Sequence, residues 1–182
     1  MEANVWVVLG VFLALLIVAA IATNKKKKAQ ATAMGASSYS SGVVLHGIPH
    51  VPAQTGVDVF VANEKLTFKT NALTFDLPFD KVSAATALKT TDLLTKDKSV
   101  LARGIVGGVL LGPLGAIVGG MSGIGKKQLK GAFLVINYQQ SNSDETDVII
   151  LNLYYMPNAK SIADDITKRL VNKKMINGTI EL

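Results

Sequence analysis

The chain has 182 residues, 49% of them hydrophobic, and a formal charge of +6 from 19 Lys and Arg against 13 Asp and Glu. Cysteine is absent, which excludes a disulfide framework and any thiolate metal site. With Lys25 to Lys28 and Glu2 set aside, the remainder carries 15 basic against 12 acidic residues, too even a balance to mark a nucleic-acid binder by charge.

Val5 to Ala22 is an uncharged apolar stretch of 18 residues. At about 1.5 Å rise per residue it reaches about 27 Å as a helix, close to the roughly 30 Å of hydrocarbon in a bilayer. Trp6 stands where an interfacial aromatic belongs. Only Glu2 and the amino terminus precede the stretch, whereas Lys25, Lys26, Lys27 and Lys28 follow it. The positive-inside bias therefore predicts a single-pass anchor in the cell membrane over residues 1–23, with the N-terminus outside and the rest of the chain cytoplasmic. A cleaved signal ending at Ala20-Ile21-Ala22 is the alternative, but such signals carry their positive charge before the apolar core. A buried core helix would need neighbours covering its whole circumference.

Residues 24–42 read as a basic flank followed by a flexible tether. The tether, Ala29 to Gly42, is small, polar and uncharged, with a typical reach of about 20 Å. A domain is expected over residues 43–182. Val57 to Val61 and Leu66 to Lys69, joined by Ala62-Asn63-Glu64-Lys65, predict a hairpin. Leu73 to Phe79 is extended, and Pro78 argues for an edge or a bend. Lys81 to Leu88 continues as a strand.

Gly104 to Gly125 follows, uncharged, between Arg103 and the basic group Lys126, Lys127 and Lys130. Gly104, Gly108 and Gly112 recur every fourth residue, as do Gly115, Gly119 and Gly123, which places the glycines of each half on one helical face and permits close helix–helix packing. Gly112-Pro113-Leu114-Gly115 is a turn signature. The expectation is a helical hairpin dipping into the cytoplasmic leaflet, or a related oligomerising zipper; a soluble insertion is the alternative. A second full span would put the strands on either side of it across the membrane from each other.

Ala132 to Tyr138 and Val148 to Tyr155 predict a second hairpin. Near Pro157 the period becomes helical, with Ala159, Ile162, Ala163, Ile166 and Leu170 on one face. Asp164 with Lys168 and Asp165 with Arg169 are spaced i to i+4, acid first, as on a solvated side. Strands followed by one amphipathic helix give an α+β domain, the helix capping a bent antiparallel sheet.

This order of parts, with Leu45-His46-Gly47-Ile48-Pro49, Phe75-Asp76-Leu77-Pro78, Lys81-Val82 and Phe133 to Tyr138, resembles the pleckstrin-homology (PH) superfold in its bacterial, membrane-anchored and GRAM-like forms. The resemblance covers roughly residues 43 to 172. It implies a platform for lipids or protein partners, not an enzyme.

The remaining motifs point away from catalysis and cofactors. Gly120 to Lys127 approaches a phosphate-binding loop, yet Lys127 stands where a hydroxyl must hold magnesium, and no strand leads into it. His46 and His50 are separated by Pro49, which spoils a helical metal pair. Asn142, Asp144, Glu145 and Asp147 lack the spacing of a calcium loop. No catalytic site, metal site or cofactor is expected. Two readings remain. In one, a membrane-anchored binding or scaffolding module sets Lys25 to Lys28, Arg103, Lys126, Lys127 and Lys130 against anionic headgroups, each worth about 1 kcal/mol near the surface. In the other, the glycine faces drive a homo-oligomer or assembly that supports or permeabilises a membrane.

Overall fold

The computed structural model describes residues 2–89, 105–106, 109–110, 131–140 and 146–176. Helix α1 (Glu2–Ala33) leads into strands β1 (Ser38–His46), β2 (Gly56–Val61), β3 (Lys65–Lys69), β4 (Thr74–Pro78) and β5 (Val82–Lys89). Two short strands, β6 (Ile105–Val106) and β7 (Val109–Leu110), precede the hairpin of β8 (Ala132–Gln139) and β9 (Thr146–Asn152), and α2 (Met156–Ile176) completes the order.

Seven strands form one antiparallel sheet in the order β4-β3-β2-β1-β9-β8-β5. Both hairpins form as expected, and Pro78 closes β4, the edge strand, where its missing N–H costs no ladder bond. β1 pairs with β2 from Ser38 to Val43 and with β9 from Val43 to His46, with a bulge between Val44 and His46. The two halves of the sheet therefore bend towards each other. Val57, Val59, Leu66, Phe68 and Leu77 from one half join Leu134, Ile136, Ile149 and Leu151 from the other in a single buried cluster. Ala159, Ile162, Ala163 and Ile166 of α2 complete that cluster, so the helix caps the bent sheet. The fold is the expected α+β one.

Three expectations change. The tether does not exist. α1 runs unbroken through Lys25 to Lys28 to Ala33 and stops in a Schellman turn, where the Gly35 amide donates to Thr32 O, the Ala36 amide donates to Ala31 O, and Gly35 takes φ +61°. Two residues later β1 begins. The residues are small and polar, but Ala, Gln and Lys are also good helix formers, and Gly35 is a helix stop.

Within the first glycine arm the described residues are strands rather than helix: Ile105 pairs with Leu110 and Val106 with Val109 in an antiparallel ribbon. β-Branched residues between glycines suit that ribbon better than a helix.

The third change concerns α2. Asp165 and Arg169 do pair, Nε to Oδ1 at 3.2 Å, but with about a fifth of each side chain exposed rather than on an open face. Ser37 and Ser38, beside the start of β1, donate to Asp165 Oδ2, and Arg169 donates to Ser37 Oγ at 2.7 Å and to Asn63 O at 3.3 Å. The pair thus ties α2 to the entry of β1 and to the β2–β3 turn. Burial pushes the Asp165 carboxyl up, but hydrogen bonds from Ser37 and Ser38 and the Arg169 charge outweigh it and hold it below the usual value of 3.8.

A lowered carboxyl stabilises the fold above its unfolded value and ceases to do so as pH falls through the folded one. Asp165→Asn should therefore lower urea stability at about pH 7, with a difference that shrinks as pH falls below 3.8. Asp165→Ala, which also strands the serines, should cost about 1.5–3 kcal/mol.

Candidate functional site

The outer face of β1, β2 and β3 is where α1 meets the domain. Alternation along β2 sends Val57, Val59 and Val61 inward and Asp58 and Phe60 outward. Phe60 is nevertheless fully buried, stacked on Tyr39 at 6.1 Å, and Ala31 of α1 is 4% exposed. Two residues along β2 cover about 6.6 Å and one helical turn from Ala31 back to Lys27 about 6 Å, so Lys27 arrives above Asp58. Its Nζ donates to Asp58 Oδ1 and to Ser41 Oγ, each at 2.7 Å, and Ser41 donates to the same carboxylate oxygen.

In register, Ser41 faces Asp58 and Asp58 faces Lys69, making a polar row across three strands. One further step along β2 comes Gly56, whose missing side chain leaves open space: nothing lies within 4 Å of where its Cβ would be. Thr23, Lys26, Lys27 and Gln30, one stripe of the helix, here stand off from the sheet. The result is a wedge of about 460 Å³, closed on the domain side by Val57 and Asp58 and at its mouth by Lys69, Thr70 and Asn71.

Of the expected headgroup contacts, Lys25, Lys26 and Lys28 lie on α1, and Lys25 and Lys28 fall outside the wedge, exposed. Lys27 is paired with Asp58, with 30% of its side chain exposed. Arg103, Lys126, Lys127 and Lys130, with Gly104, Gly108, Gly112, Gly115, Gly119 and Gly123, fall outside the described residues. Asp58, Ser41, Gly56 and Lys69 escaped the sequence reading. The legible signal was the Thr23, Lys27, Gln30 spacing, which marks a polar helical face that needs a partner.

A second recess of about 220 Å³ lies between β4 and the other half of the sheet, lined by Ile48, Pro49, Phe75, Leu77 and Tyr138. Tyr138 Oη donates to Asp147 Oδ2 at 3.2 Å. Burial, then the Asp147 charge, pushes its hydroxyl up to about 12, so it is a neutral donor and no nucleophile at neutral pH. Among the described residues no group of three or more His, Cys, Asp or Glu is placed to hold a metal ion.

Residues 50–151, just over half of the chain, match the family described as the glycine zipper containing PH domain. No curated protein matches. Among solved structures, the crystal structure of L. pealei PLC21 is similar over 79% of this chain and 16% of that one, at 14% identity and a TM-score of 0.42, too distant for any argument here.

Replacing either partner of the Lys27–Asp58 pair should loosen α1 from the sheet. A double-mutant cycle with Lys27→Ala and Asp58→Ala, read by urea unfolding of the full chain in neutral micelles, should give a coupling of about 0.5–1 kcal/mol that falls as salt rises.

Proposed function

The chain belongs to the family of PH domains that contain a glycine zipper, and from that premise we propose that it is a non-enzymatic, membrane-anchored binding or scaffolding module working at the cytoplasmic surface of the cell membrane. One observation carries the reading. Among the described residues one helix is long and apolar enough to cross a membrane, its apolar part bare, and the same helix continues without a joint into the polar stripe clamped on the domain. Bare apolar surface on that scale needs lipid, and the clamp then presses the domain against the bilayer.

In this arrangement Lys25, Lys26 and Lys28 face anionic headgroups on the inner leaflet. Arg103, Lys126, Lys127 and Lys130 add to that basic surface from the flanks of the glycine-rich segment.

The family's name favours a second role for that segment, self-association. The contact between copies is assigned to the glycines that recur every fourth residue, Gly104, Gly108, Gly112, Gly115, Gly119 and Gly123. Gly119→Leu should then abolish crosslinked oligomers in membranes while leaving the domain's thermal unfolding unchanged.

The topology is tested by single cysteines in this cysteine-free chain. A membrane-impermeant maleimide should label the Ala3→Cys variant on intact cells and the Lys160→Cys variant only after permeabilisation. The opposite pattern overturns the orientation, and recovery of both variants in the soluble fraction overturns the anchor.

A further inference from the structure

We propose that the wedge between α1 and the outer face of β1–β3 is a binding site for the phosphate of an anionic glycerophospholipid drawn from the leaflet beside the domain. The inference rests on the reading that α1 spans the bilayer.

The wedge is made by a taper in side-chain size. Going along β2 away from the Schellman turn, the outward positions are Phe60, Asp58 and Gly56: a buried ring stacked on Tyr39, a carboxylate that pins the helix through Lys27, and a bare backbone that leaves a gap. Every other outward position of β2 is filled. The gap opens at the end of the domain from which the apolar part of α1 departs.

Its chemistry suits an anion. The lining carries three lysines and one aspartate. Lys27 and Asp58 neutralise each other at 2.7 Å, so the net positive charge of the wedge is that of Lys26 on the helix and Lys69 on β3, both of which line it. Thr23, Gln30, Thr70 and Asn71 add neutral hydrogen-bonding groups around them. Two ammonium groups with flanking hydroxyls and amides match a phosphodiester, which carries a single charge and several acceptor oxygens.

Depth selects the lipid over a dissolved phosphate. Thr23 follows directly on the apolar stretch. Lys26 stands about 4.5 Å and Gln30 about 10 Å further along the axis, while the headgroup layer of one leaflet is roughly 5–8 Å thick. Lys26 therefore lies at the level of the phosphates, and a lipid reaches it by lateral diffusion without leaving the bilayer.

The test uses the full chain in neutral detergent micelles, titrated in native mass spectrometry with short-chain phosphatidylglycerol, short-chain phosphatidylcholine and inorganic phosphate. The expected result is a one-to-one phosphatidylglycerol adduct at concentrations where the other two give none. Lys26→Ala with Lys69→Ala should weaken it roughly 30-fold. Lys160→Ala with Lys168→Ala removes the same charge from α2, outside the wedge, and should change it less than threefold. Gly56→Leu keeps every lysine but fills the gap, and should abolish the adduct. Equal losses in the two double variants mean diffuse surface attraction and overturn the site. So does an adduct that survives Gly56→Leu, or inorganic phosphate binding as tightly as the lipid. Flotation of the chain with pure phosphatidylcholine vesicles checks the anchor separately: failure to float overturns the spanning reading and the site with it, whereas flotation without a selective adduct overturns the site alone.

Discussion

Strand β1 is asked to belong to two halves of a sheet at once, and the rest of the molecule hangs on how it does so. Its first six residues bond to β2 and its last to β9, with Val43 shared by both ladders. At the corner Gly42 has no room for a side chain, because a Cβ would fall on the carbonyl oxygen of Asn152 and on Leu153. The close approach brings β9 beside β1, turns the two inner faces towards each other and creates the cavity that α2 plugs. Interior packing at near-crystalline density then follows from aliphatic alternation on both halves.

Helix α1 inherits its position from the same strand. Four hydrogen-bonded residues, Met34 to Ser37, separate the end of α1 from β1, and the amide of Ser37 already donates to Val61 O. With so short a link the helix cannot wander, and its last two turns fall on the outer face of β2. Polar groups then select the register: Lys27 finds the one outward carboxylate on β2, and the Asp165–Arg169 pair locks the link from the other side. Neither ion pair is deeply buried, so each contributes modestly, and the arrangement depends on their acting with Phe60 and the Schellman turn.

Much of the domain was legible from sequence. Period-two alternation in β3, the apolar and β-branched runs of β2, β8 and β9, the edge-seeking Pro78 and the 3.6-residue period of α2 are local signals, and each element obeys them. What misled was composition without propensity. Residues 29–33 are small and polar, which suggests a linker, yet they extend a helix already nucleated by the apolar stretch before them, and propagation costs far less than nucleation. In the glycine-rich segment a four-residue repeat suggested a helix, where Ile105, Val106 and Val109 preferred a ribbon. The wedge was not legible, because Gly56 and Lys69 acquire meaning only when the hairpin brings them under a helix distant in sequence. Asp165 and Arg169 were spaced as predicted, but nothing local could say that Ser37 would come to meet them.

A helix joined to its domain without a hinge turns angular position into information. Each residue of α1 advances the helical phase by about 100°, so the stripe of Thr23, Lys27 and Gln30 fixes the compass bearing of the domain around the anchor's axis. A chain with a loose linker would present all its faces in turn to whatever lies beside it in the plane of the membrane. This one presents a single face, and the side of α1 that carries Lys25 and Lys28 points away from its own domain. Two such anchors side by side would meet with their domains already aimed, their relative heading set by the helix phase at Lys27.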